Sequence, residues 1–225
     1  MKNRFLYSIS VLLLFIIVKP ASAQFAENIN GVPMRVISGY TNVEGSAFLS
    51  DQWAKGMVKM ADGRTFKDVL LKYDEVKDEL YFQDKKGDTL IFVDPVREFK
   101  VEYASGDELH EKLFRNGYKN IPNSSENSFF EVLSDGTAPL LKRTTKSITE
   151  SKEYNSTTVV KRFDENIKYY LILSDKVFPI KRDKKSILAV LTNKQPQLES
   201  FMRTNNINLK NDEDLAKLMA YYNSL

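Results

Sequence analysis

The sequence predicts a mainly β protein with an α-helical tail, an α+β arrangement. Two patterns carry that prediction. From Lys55 to about Ile180, short apolar runs alternate with turn residues. After Lys181 the apolar spacing changes to a helical period. Cysteine is absent from all 225 residues, so the fold must rest on its core and its hydrogen bonds. The expected architecture is an antiparallel meander of about ten strands, followed by two or three short C-terminal helices. The sheet could be twisted and open, a sandwich or a partly closed barrel.

The first strand set runs from Met57 to Tyr103. Met57 to Met60 leads into Asp62-Gly63, a pair suited to a tight hairpin because both residues tolerate positive φ. Val69, Leu71 and Tyr73 share one face of the return run, and Leu80 and Phe82 follow. The polar turn Lys85-Lys86-Gly87-Asp88 then leads to Thr89–Val93. Beyond Pro95, Phe99, Val101 and Tyr103 alternate with Lys100 and Glu102. These five runs read as a meander. Residues 106–127 read as a mostly irregular crossing, with one helical turn suggested by Leu109, Leu113 and Phe114.

The second set comprises Phe129–Leu133, Leu140–Ile148, Val159–Phe163, Ile167–Leu173 and Val177–Ile180. Tyr169 and Tyr170 then point to opposite sheet faces. In the tail, Ile187, Leu188 and Leu191 form one helical stripe, and Leu198, Phe201 and Met202 another, with Pro196 suited to a first turn. Leu215, Leu218, Met219 and Tyr222 form a third stripe. Asn211 is its expected cap, and Asp212, Glu213 and Asp214 favour the positive end of its dipole.

The organisation that follows is a leader over 1–23, an irregular lead-in over 24–45, a β-rich domain over 46–182 and a helical tail over 183–225. The strand sets occupy 46–105 and 128–182, and the tail should pack on the β part. The leader reads as a signal peptide: Lys2 and Arg4 precede an apolar run from Phe5 to Val18, and Ala21-Ser22-Ala23 suits cleavage after Ala23. At 14 residues the run is shorter than the roughly 20 needed to span a bilayer. The expected location is periplasmic or secreted, with no transmembrane segment after cleavage. Loss of Lys2, Arg4 and Lys19 leaves 30 basic against 30 acidic residues.

Composition excludes several chemistries. Without cysteine there can be no thiol catalysis, thiolate metal site or lipoprotein anchor. His110, the single histidine, cannot supply a two-histidine metal site. It reads as a surface residue, since no Gly-x-Ser-x-Gly motif accompanies it. The closest glycines are six residues apart, which excludes dinucleotide and Walker loops. Asp84–Asp88 and Asp212–Asp214 read as a turn and a helix start, and they lack calcium-loop spacing. The basic stretch 140–185 carries 12 basic against 6 acidic residues, and it reads as a solvated face without nucleic-acid binding. No catalytic residue, metal ligand or cofactor is therefore expected. Among the many carboxylates, Asp94, Glu98 and Glu131 are candidates that spacing cannot rank. Trp53, in a polar loop-like context after Phe48 and Leu49, is the candidate binding residue.

Gly45-Ser46-Ala47-Phe48-Leu49, Trp53, Lys55-Gly56, Asp62-Gly63, Leu71-Lys72-Tyr73-Asp74 and Glu79-Leu80 form one familiar series. Lys184-Lys185-Ser186 and Tyr221-Tyr222-Asn223 form another. Together they resemble a loosely defined group of exported, functionally uncharacterised proteins of Bacteroidetes-type bacteria. The resemblance implies an envelope or secreted location and carries no catalytic residue. The leading functional expectation is a soluble, non-catalytic protein that binds an apolar small ligand, held between sheet and tail, or an envelope partner protein near Trp53. The alternatives are a carboxylate-based hydrolase of envelope glycans and a structural accessory of an envelope assembly.

Overall fold

A computed structural model describes residues 29–34, 40–106, 108–152 and 159–225. The expected leader and its cleavage point lie outside the described residues. Twelve strands form one mixed sheet that does not close. They are β1 (Gly31–Pro33), β2 (Val43–Glu44), β3 (Ala54–Met60), β4 (Thr65–Asp74), β5 (Glu79–Gln83), β6 (Thr89–Phe92), β7 (Val96–Ser105), β8 (Glu108–Arg115), β9 (Phe130–Ser134), β10 (Leu140–Lys152), β11 (Val159–Leu173) and β12 (Lys176–Ile180). Three helices follow, α1 (Lys184–Val190), α2 (Gln195–Thr204) and α3 (Asp212–Ser224), with a 3₁₀ turn at Thr192–Lys194.

The strand order β1-β6-β5-β4-β3-β7-β8-β9-β10-β11-β12 departs from a single meander. After running outward from β3 to β6, the chain returns to pair β7 with the free side of β3. Only Val93, Asp94 and Pro95 make that return. Four residue steps reach about 14 Å at most. Four strand spacings in a flat sheet would cover about 19 Å. The first half must therefore curl, and its apolar face turns inward.

That inward face holds Val58, Leu71, Tyr73, Phe82, Phe99, Val101 and Phe114, all buried. Phe99 and Phe114 stack at 4.7 Å between ring centroids, and Phe129 meets Phe99 edge-on. Gly56 lets β3 and β7 approach, because a Cβ there would lie 2.2 Å from the Lys100 carbonyl oxygen.

The second half shields its face with helices. Leu140, Leu171 and Tyr169 of the sheet meet Ile187, Leu191, Leu198, Leu215, Leu218 and Met219 of the tail. All are buried, so side chains fill the space between β10–β12 and the tail. The Asn211 side chain accepts from the Asp214 backbone N–H at 3.0 Å, capping α3 as its sequence predicts. Tyr170 points to the opposite face, where Phe130, Leu141 and Ile121 cover it.

Two expectations need correction. Residues 108–115 form β8 rather than a helical turn. The two runs expected at 159–163 and 167–173 are one 15-residue strand, paired with β10 without a break from Val159 to Leu171. Within the stretch read as a lead-in, β1 pairs with β6 and β2 runs parallel to β11. Among the described residues, no helix is long and apolar enough to cross a membrane.

Candidate functional site

Four concave regions bear on function. One cavity, about 460 Å³, lies between β8–β9 and the start of α3. Its lining includes His110, Lys112, Glu131, Arg182 and Asp212. The strand register explains the gathering. Phe114 faces Glu131 across β8–β9, Glu131 faces Lys142 across β9–β10, and Lys142 faces Tyr169 across β10–β11. These positions therefore share the sheet face that the curl fills at one end and the helices cover at the other.

Opposite charges alternate along this seam. The Lys112 ammonium lies 3.1 Å from Glu131 Oε2. Lys142 Nζ sits 3.8 Å from the same oxygen and 2.7 Å from Asp212 Oδ2. The Tyr169 hydroxyl donates to Asp212 Oδ1 at 2.8 Å, and Arg182 approaches that oxygen at 3.3 Å. Burial alone would raise the Asp212 carboxyl. Hydrogen bonds from Lys142 and Tyr169, with the charges of Lys142 and Arg182, outweigh it and hold the carboxyl below its ordinary range.

Lys142 thus bridges two carboxylates, the residue type that glycoside hydrolysis uses in pairs. A general acid must retain a proton near neutral pH, whereas Asp212 is driven towards ionisation. Burial does push the Glu75 carboxyl up, against an opposing 2.8 Å pair with Lys146. Glu75 lines none of the four cavities.

A second cleft, about 420 Å³, opens where the curl fails to close. Leu80 of β5, Ile91 and Phe92 of β6, the Val93–Pro95 link, Val96 of β7 and Phe129 supply its apolar surface. Asp78, Glu79, Asp94, Asn116 and Asn127 contribute polar groups. The side chains of Asp78, Glu79, Asp94 and Asn116 are already engaged. Arg64 binds Asp94 at 2.6 Å, and the Tyr81 hydroxyl donates to Glu79 at 2.7 Å. The Tyr73 hydroxyl and Phe129 N–H donate to Asp78, while Asn116 donates to the Val96 carbonyl. Such groups leave apolar surface as the main free binding element.

The third cavity, about 90 Å³, lies on the other face of β10–β11 beside the residue 121–123 segment. The fourth is an open groove along α1 and α2 that includes Leu188, Ala189 and Glu199.

Trp53 lines none of these four regions. It is partly buried just before β3, with Lys72 Nζ 6.0 Å from its ring. Lys72 also donates to the Asp51 carbonyl and lies over Phe48. His110 is half-exposed on β8, stacked on Tyr103, and contributes to the rim of the ionic cavity. Of the three unranked acids, Glu131 enters the ionic seam and Asp94 the apolar cleft. Glu98 is bound to Arg115 at 2.5 Å. Asp84 accepts from the Lys86 and Asp88 N–H groups, completing the expected turn.

Comparison of the chain with protein-family models, curated proteins and solved structures finds no match.

Proposed function

We propose that this protein is a non-catalytic binder of a small apolar ligand, received in the cleft between β5–β6 and the start of β7. The observation carrying this reading is the pairing of a mostly engaged polar rim with free apolar surface from Ile91, Phe92, Val93 and Val96. Its volume of about 420 Å³ falls in the range of small-molecule sites. The apolar ligand is assigned to this cleft rather than to the space between sheet and tail expected from sequence, because the cavity there is lined by the ionic seam. The charged leader with its small-residue cleavage pattern supports export to the periplasm or beyond, as does the family resemblance.

A fluorescence titration with N-phenylnaphthylamine tests the site. Saturable one-to-one uptake is expected. Phe92→Ala and Val93→Asp should each weaken it about tenfold by removing apolar contact or placing charge at the mouth. Val93 is exposed, so its substitution should leave folding intact. Ala189→Asp, in the α1–α2 groove, should leave uptake unchanged. Absence of saturable uptake, or loss confined to Ala189→Asp, would overturn the proposal.

A further inference from the structure

We propose that the small cavity between β10, β11 and residues 121–123 binds a single oxyanion group, phosphate or sulfate. Arg143, Lys168, Tyr170, Asn123, Asn166 and Thr145 supply its polar lining, and no acidic residue joins them. At about 90 Å³ it suits one oxyanion rather than an extended ligand.

Its residues have a shared, unmet capacity to donate. Arg143 and Lys168 face each other directly across the antiparallel ladder, an unfavourable placement for two cations. Among the described residues, no carboxylate approaches Lys168 within ion-pair distance. The Arg143 guanidinium lies over the Phe130 ring and donates to the Asn123 carbonyl and the Ser128 hydroxyl. Asp78 is 3.4 Å away, but the buried Arg143 Nε has no acceptor among the described residues. Tyr170, 2% exposed, lines the same cavity and meets the Phe130 ring edge-on. An oxyanion between these groups would relieve the like-charge pairing and accept charge-assisted hydrogen bonds.

The site lies across the sheet from the ionic seam, where cations of the same strands already have carboxylate partners. It shares no lining residue with the proposed apolar-ligand cleft, although Asp78 of that cleft approaches Arg143. Amide-resolved NMR titration with inorganic phosphate and then sulfate tests it. Saturable changes should centre on Arg143, Lys168 and Tyr170. Lys168→Gln should weaken the interaction about tenfold while retaining the native spectrum. Tyr170→Phe, which keeps the ring, should weaken it less. Lys161→Gln removes a cation already paired with Glu150 and should leave affinity unchanged. A parallel sedimentation assay uses phosphatidylglycerol vesicles. Anion binding without vesicle binding assigns a free ion, whereas Lys168-dependent binding to both assigns a phosphate headgroup. No saturable response in either assay, or equal affinity in Lys168→Gln, would overturn the proposal.

Discussion

The two halves of the sheet exclude water in different ways. From β3 to β8 the sheet curls until its own strands enclose Phe82, Phe99 and Phe114. From β9 to β12 it leaves its inner face to be covered by α1, α2 and α3. Between these solutions the same face meets neither the full curl nor the full helical cover, and Lys112, Glu131 and Lys142 occupy it. The difference identifies the ion-pair network as a joint. Asp212, at the start of α3, fastens the tail to β10 through Lys142 and to β11 through Tyr169.

The largest effect should come from breaking that joint. Lys142→Met removes the cation that Glu131 and Asp212 share, leaving Lys112 and Arg182 as their remaining cations, and should cost about 3 kcal/mol in chemical denaturation. Replacing Lys112, Glu131, Lys142 and Asp212 together with well-packed apolar residues should restore much of the loss, because the desolvation cost of the network disappears with it. A pH series sharpens the assignment. Asp212 has a lowered folded pKa, so its stabilisation should be full above its unfolded value, about 3.9. It should disappear as pH falls through the folded value. Lys142→Met should diminish this acid dependence.

A perturbation confined to the curl should be smaller. Gly56→Ala forces a Cβ towards the Lys100 carbonyl and should cost about 1–3 kcal/mol, with faster hydrogen exchange concentrated in β3 and β7. The smallest effect belongs to the tail. Asn211→Ala removes the α3 cap and should cost about 1 kcal/mol, read as a lower thermal midpoint.

The regions differed in legibility for the same physical reason that they differ in structure. Apolar alternation exposed β4 and β7, and the helical stripe from Leu215 to Tyr222 exposed α3. It missed β8 because His110 and Lys112 face inward with Phe114, giving a buried-face pattern interrupted by charge. It divided β11 at Asp164-Glu165-Asn166, although β10 continues the ladder past all three. The apolar cleft was equally hidden, since Leu80, Phe92 and Phe129 meet only after the short return to β7 curls the sheet. Trp53 had a visible sequence signal but sits outside the cavities described above.

Native mass spectrometry of the protein, gently purified from its own host, tests the central functional claim most directly. The account predicts a retained small molecule of a few hundred daltons, released when Phe92 is replaced by Ala. A bare monomer in the wild type, or a retained mass unaffected by that substitution, would contradict it.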